Sequence, residues 1–336
     1  MKPPTFVLAT FGAPGREATA GMVIDDQVFD LAARLGPGTT IRSLLEAWDD
    51  SLETLQELAS SLAGQEGDAR LGELPTLPPI MPPGQLFLSG ANYRQHVIEL
   101  VVAQQRDARG LTEDELRAEI AAQTAEREAS GRPYVFIGLP SSICGAYDDV
   151  ILPADGDQND WELELAVIIG RAARNVRRDE AMGHVAGYTI CNDLTTRDRV
   201  FRPDLPGIGT DWLHSKNAPT FYPTGPCLVP APFVADPGDL RITLRVNGQV
   251  MQDATTADMI FGVDRLIEHV SAITEMRPGD MLLTGSPAGN GTYWNRFLSP
   301  GDVIEGEISG LGVQRNRCVA APEPGTNQDV QVARAR

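Results

Sequence analysis

Asp160-Trp-Glu-Leu-Glu-Leu-Ala-Val-Ile-Ile-Gly170 is the stretch on which the reading of this chain turns. In a strand, residues two apart point to the same face. Glu162 and Glu164 then stand side by side, Leu163 and Leu165 face the other way, and a strongly apolar run follows. Outward from it, the chain from 133 to about 320 is rich in strand patterns: YVFIGL, DVILP, VAGYTICNDLT, LRITLRVNGQVMQDA, DMLLTG and DVIEGEISG. Arg245-Val-Asn-Gly-Gln-Val250 reads as a hairpin turning at Asn247-Gly248. Helices are expected at Asp179–Val185 and Ala257–Ile273. Strands greatly outnumber helices and there is no βαβ rhythm. That argues against a doubly wound sheet or a TIM barrel, and for a β-rich α+β fold.

Toward the N-terminus, residues 5–30 read as strands with a turn at Asp25-Asp26. Apolar residues from Ile41 to Leu58 recur near a 3.6 period, which predicts one helix over Thr40–Leu62. Residues 1–73 are expected to form a small N-terminal α/β accessory domain. Residues 74–84, LPTLPPIMPPG, hold five prolines and read as a stiff linker. The main domain is expected over 85–320. Within it, 100–131 reads as a charged helical insertion, opened by a capping box at Thr112-x-x-Glu115 and suited to a lid. Residues 321–336 read as a disordered tail.

The composition is that of an ordinary globular protein: 336 residues, 42% apolar and 22% charged. A net charge of −18 repels polyphosphate and anionic lipid, so no nucleic-acid or membrane partner is expected. An anionic substrate would need a local cation. The cysteines, Cys144, Cys191, Cys227 and Cys318, form no CxxC pair, and free thiols in a reducing cytoplasm are expected. No HExxH spacing joins the histidines.

Five groups of residues carry chemistry. Glu162 and Glu164 are like charges that a cation would reconcile, and hard oxygen donors favour Mg²⁺, Mn²⁺ or Ca²⁺ over zinc. The alternative is a solvated edge strand. Asp193 ends an apolar strand and is placed to be a third ligand, or it is a helix N-cap. Arg197, one turn on, could pair with a substrate carboxylate, or is a surface charge. His96 and Glu99 share a helix face, as a general base and its orienting carboxylate or as a surface pair. Lys216 precedes an apolar Pro-rich stretch and is an anion anchor or a solvated lysine. The turn Leu283-Thr-Gly-Ser-Pro-Ala-Gly289 could hold a carboxylate on its N–H groups.

In order, GANYRQHVIEL, DWELELAVIIGRAARNV, VAGYTICNDLTTRD, KNAPTFYPTGP, RVNGQVMQDATTADMIF, PGDMLLTGSPAGNG and PGDVIEGEISGLGVQRNRCV resemble the fumarylacetoacetate hydrolase family from about Gln85 to Val319. The resemblance implies a mixed β-roll, usually homodimeric. It implies one divalent ion, Mg²⁺ or Mn²⁺ (Ca²⁺ can stand in within crystals), on Glu162, Glu164 and Asp193. His96 with Glu99 would activate water, and Lys216 would stabilise charge on the substrate. Tyr93, Arg197, Thr284 and Gly285 would help bind it. The substrate implied is a small anionic 2-oxo or 2,4-dioxo acid, such as an acylpyruvate or an aromatic-degradation intermediate. Hydrolytic cleavage of its C–C bond is the first expectation. Decarboxylation, isomerisation or hydration at the same site is the alternative, and a non-catalytic binding protein is a third reading. One departure stands out: Gly138 occupies or adjoins a place where many relatives carry lysine.

Overall fold

The computed structural model describes residues 5–12, 18–105 and 110–322. Near the N-terminus β1 (Val7–Phe11), β2 (Thr19–Ile24) and β3 (Gln27–Asp30) form an antiparallel meander. The β2–β3 turn falls at Asp25-Asp26, with Asp25 in the left-handed region at φ 55. Short strands β4 (Ala69–Arg70) and β5 (Thr76–Leu77) complete this sheet in the order β4-β3-β2-β1-β5. The Pro-rich segment thus contributes a strand to it. Between β3 and β4 run α1 (Leu31–Leu35), α2 (Ile41–Glu46) and α3 (Trp48–Leu62). The single helix expected over Thr40–Leu62 is two, because Ala47 leaves the helical region at φ −130, ψ 48.

The large sheet comprises β6 (Leu86–Gly90), β7 (Tyr134–Gly138), β8 (Ile143–Gly145), β11 (Leu163–Ile169), β12 (Val185–Asn192), β14 (Tyr222–Thr224), β15 (Val229–Pro230) and β18 (Met281–Leu283). Its order is β7-β6-β18-β11-β12-β14-β8, with β15 beside β12. A second sheet has the order β17-β16-β19-β20-β9, built from β9 (Val150–Leu152), β16 (Arg241–Val246), β17 (Gln249–Thr255), β19 (Val303–Ile308) and β20 (Gly312–Ala320). The β16–β17 hairpin turns at Asn247-Gly248 at φ 52 and 80, the positive values that an Asn-Gly turn supplies most easily. A two-strand ribbon pairs β10 (Asn159–Asp160) with β13 (Thr195–Thr196).

β11 is buried along its whole length, so its two faces serve two cores. Leu163, Leu165, Val167 and Ile169 face a core shared with the second sheet and with α7 (Val263–Ile273). Ala166 and Ile168 face the other, which β1, β2 and the helices α1–α3 also line. Two helices precede β7: α4 (Arg94–Gln105) and α5 (Glu113–Ser130). They share a small cluster of their own, Ile98, Val102, Leu116 and Ile120. The Thr112–Glu115 capping box is formed. The helix expected over Ala257–Ile273 begins only at Val263, and Asp179–Val185 holds a 3₁₀ turn at Ala181–His184. Most of the segment expected to be a disordered tail, from 323 on, lies outside the described residues. Among the described residues, no helix is long and apolar enough to cross a membrane.

Candidate active site

Glu162 lies just before β11, and Glu164 is its second residue. β12 runs antiparallel to β11, with Leu163 opposite Asn192 and Glu164 opposite Cys191. Asp193, the next residue past β12, therefore arrives beside both glutamates. Two hydrogen bonds fix that junction: Asp193 N donates to Glu162 O at 2.8 Å, and Glu162 N donates to Asn192 Oδ1 at 2.8 Å. All three carboxylates are buried, and their candidate ligand atoms lie within 4.8 Å of one another.

Two cations meet this cluster. Lys216 comes from α6 (Trp212–Lys216) and is buried. Its ammonium donates to Glu162 Oε2 at 2.9 Å, to Thr195 Oγ1 at 2.8 Å and to Asp193 Oδ2. Arg197 donates from Nε to Asp160 Oδ2 at 2.8 Å and pairs with Glu162 through its other arm. Asp160, fully buried, also accepts from the Gly291 N–H at the start of α8 (Gly291–Trp294), whose N-cap is Asn290. Four carboxylates thus share two cations.

The electrostatics follow from burial and neighbours. Burial raises the Glu162 pKa, but Arg197 and Lys216 outweigh it and bring it down to about 2. Burial raises Glu164, and the charges of Asp193 and Glu162 push it further up. Asp193 is raised by burial to about 6, against the pull of Lys216. Asp193 Oδ1 is buried and has no hydrogen-bond partner among the described residues. A divalent ion fits this donor set: three oxygen ligands, a surplus of two negative charges, and an orphaned carboxylate oxygen that such an ion would satisfy.

β18 brings the fourth wall. Thr284 follows it and donates from N to Leu165 O at 3.1 Å, and the Gly285 N–H reaches Glu164 Oε2 at 2.7 Å. Gly285 has φ +95, and a β-carbon there would stand 2.9 Å from Asn92 Cβ, so only glycine holds this turn without strain. Tyr93, buried just before α4, has its phenol pKa pushed up by burial and by the charge of Glu164. His96 and Glu99 line one small cavity with Leu100, Asn290, Thr292 and Tyr293. Burial lowers the His96 pKa, against the charge of Glu162. Burial raises Glu99. No hydrogen bond or ion pair joins His96 to Glu99 among the described residues, although they share a helix.

The ten residues singled out in the sequence therefore gather at one end of β11, β12 and β18. Reading the sequence missed Asp160, Asn92, Thr195 and Gln252. Asp160 had a signal, since it continues the two-residue spacing of Glu162 and Glu164. Asn92 is buried and donates to Phe261 O at 3.0 Å and to Thr284 O at 2.7 Å, tying the start of α4 to the site. Gln252 accepts from Leu163 N at 3.1 Å and donates to Pro287 O at 2.8 Å. Partners 35 to 192 residues away leave no local pattern.

Residues 85–319 match the family model described as fumarylacetoacetate (FAA) hydrolase C-terminal. The mitochondrial oxaloacetate tautomerase FAHD2A of Bos taurus is 34% identical over 301 residues, covering 89% of this chain and 84% of that protein. The fold is shared with the fumarylacetoacetate hydrolase of Exiguobacterium antarcticum at 27% identity and TM-score 0.70, over 94% of this chain and 100% of that one. It is shared with the maleylpyruvate hydrolase of Sphingobium sp. SYK-6 in complex with manganese(II) and pyruvate, at 26% identity and TM-score 0.69, again over 94% and 100%. These relatives are enzymes, some hydrolases and others tautomerases. The chain belongs to the fumarylacetoacetate hydrolase family.

Proposed function

We propose that this protein is a divalent-metal-dependent enzyme that forms and stabilises the enolate of a small 2-oxo acid, catalysing keto–enol tautomerisation of an acid such as oxaloacetate. The observation that carries this is the buried cluster of Glu162, Glu164 and Asp193 with Lys216 and Arg197 beside it. The three carboxylates would hold Mg²⁺ or Mn²⁺, both suited to oxygen donors. When bound, such an ion supplies a Lewis acid for the 2-oxo group. Lys216 keeps a fixed positive charge beside the place where negative charge develops, held there by three oxygen partners. His96 is kept neutral by burial and can accept the proton from C3. The 34% identity to an oxaloacetate tautomerase over most of both chains supports the same chemistry.

Hydrolysis of a 2,4-dioxo acid, the first expectation from the sequence, is the second reading. It draws support from His96 and Glu99 sharing a cavity. It stands second because no hydrogen bond or ion pair joins His96 to Glu99 among the described residues, while the 34% identity over most of both chains is to an oxaloacetate tautomerase. The reading includes a homodimer, which sedimentation checks.

The test follows the ultraviolet band of enol-oxaloacetate with Mn²⁺, with EDTA, and in His96→Ala and Glu164→Ala. Metal-dependent acceleration of band loss, absent in both variants, is expected. A rate equal to the uncatalysed one in metal-loaded protein would overturn tautomerisation. Loss of an acylpyruvate band under the same conditions would then move hydrolysis to first place.

A further inference from the structure

Asn290 stands beside the candidate base, and the chemistry above leaves it without a task. It caps α8, its Oδ1 accepting from Tyr293 N at 3.2 Å. That bond fixes which way the carboxamide points and leaves Nδ2 free of the cap. Asn290 is 3% exposed, and Nδ2 has no hydrogen-bond partner among the described residues. Buried N–H groups are nearly always paired, so one that is not marks a place for a water or a ligand. The backbone holds Asn290 here. Gly289 before it has φ +94, and a β-carbon there would stand 2.1 Å from Met251 O, so only glycine fits. Gly289 O accepts from Trp161 Nε1 at 3.0 Å, and Gly291 N donates to Asp160.

The place is the small cavity that Asn290 lines with His96, Glu99, Leu100, Thr292 and Tyr293. Its volume is about 10 Å³, room for one water and little else. A buried water is held where about two to four polar groups meet it, and here an amide donor, an imidazole and a carboxylate line the same space. Two polar groups that share a cavity without a direct bond are joined through such a water. Glu162, Glu164, Asp193 and Lys216 are not among the walls. The cavity thus adjoins the base and not the carboxylate cluster. It leads from buried His96 to half-buried Glu99 and exposed Tyr293, which is outward.

We infer that Asn290 is a positioning residue of this site: its amide holds one water between His96 and Glu99, and that water carries the proton of the base to and from Glu99. The inference rests on the enolate reading of the neighbouring site. The C3–H bond breaks, its proton joins one imidazole nitrogen, and its electron pair stays on the enolate. The opposite ring N–H passes to the water, and a water proton passes to Glu99, which releases it to solvent. Burial raises the Glu99 pKa, countered in part by Arg117 and the Gly289 N–H, so this carboxylate takes up a proton more readily than an exposed one. The water is a conduit and not a nucleophile, because the residues that would hold the substrate do not line its cavity.

Two measurements test this. A crystal structure of the unmodified protein is expected to show one water within hydrogen-bond distance of Asn290 Nδ2, His96 and Glu99; a cavity without it overturns the relay. The second is tautomerisation of enol-oxaloacetate by the Mn²⁺-loaded protein in mixtures of H₂O and D₂O. A relay moves more than one solvent proton, so kcat plotted against deuterium fraction is expected to curve. Asn290→Ser keeps a hydroxyl that can cap α8, so its melting temperature is expected to hold. Its kcat is expected to fall about tenfold with KM unchanged, a fraction of what general acid–base catalysis supplies, and its plot to straighten. A straight plot for the unmodified protein, or an unchanged curve and kcat in Asn290→Ser, overturns the relay and leaves the enolate reading standing. If Asn290→Ser melts early, the crystal structure and the plot for the unmodified protein decide alone. No metal-dependent tautomerisation at all overturns the enolate reading, and the relay with it.

Discussion

Lys216 carries a heavy electrostatic load, since its ammonium is shared by Glu162 and Asp193 in a buried cluster. Removing one partner of a buried ion pair typically costs about 3–5 kcal/mol, because the other charge stays buried and alone. Lys216→Met is therefore expected to lower the melting temperature sharply without metal. Mn²⁺ should then restore more degrees in this variant than in the unmodified protein, because the ion replaces the missing charge; scanning calorimetry at both metal levels checks this. An equal metal increment in the two proteins would mean that the ion binds elsewhere. His96 gives a pH prediction. Its folded pKa lies below 6.5, chiefly through burial. Above 6.5 the imidazole is neutral in both states; as pH falls below that value the unfolded chain takes up the proton first, and the fold loses stability. The neutral base likewise persists below 6.5, so the acid limb of kcat/KM is expected below that pH, and a limb centred above it would contradict a buried neutral base. At this scale the sequence was legible where spacing alone places residues. Glu162 and Glu164 follow from strand alternation, and Asp193 from the end of an apolar strand. Their company was not, because Arg197 reaches Asp160 across 37 residues and Asn92 reaches Thr284 across 192.

Elements were legible as patterns and less so as boundaries. Apolar spacing continues unbroken from Leu44 and Leu45 to Trp48, all buried, so periodicity cannot reveal the break at Ala47. Ile260 and Phe261 fit a helical period with Val263, but Asn92 holds them out of the helix. Ile260 N donates to Asn92 O at 2.7 Å and Phe261 N to Asn92 Oδ1 at 3.0 Å, and the helix waits for Gly262. Here tertiary hydrogen bonds override a local preference. The capping box at Thr112 was legible because it needs only four consecutive residues. The α4–α5 pair is the element with most to reveal, since α4 carries His96 and Glu99 while its packing partner is a four-residue cluster apart from the main cores. Large-to-small changes in such a cluster cost about 2–5 kcal/mol. Leu116→Ala is expected to speed amide exchange in α4 and α5 and to lower kcat, with β11 and β12 as protected as before. Uniform loss of protection across the sheet would show that the helix pair unfolds only with the whole molecule.

For the molecule as a whole, β11 explains why the N-terminal segment and the large sheet belong together. Ala166 and Ile168 face the core that β1, β2 and α3 complete, and Trp48 packs where a β-carbon on Gly170 would be 2.8 Å away. Leu8 and Leu228 exchange backbone hydrogen bonds at 2.9 and 2.7 Å. Trp48→Ala should therefore lower the stability of the entire fold by about 3–5 kcal/mol, read as one cooperative denaturant transition shifted down. Two separate transitions would show that residues 1–73 unfold on their own. Charge acts at the same scale. The chain carries −18, and the two cations at the site are already bound to carboxylates. An anionic substrate thus approaches against a repulsive field before it meets any attraction. Salt screens that field over a Debye length of about 10 Å at 0.1 M, while the buried contacts inside are screened far less. Raising NaCl from low to physiological strength should therefore lower KM for oxaloacetate, by roughly twofold on the same screening argument, and leave kcat unchanged. A KM that rises with salt would mean that the cations by the site, not the acidic surface, govern approach.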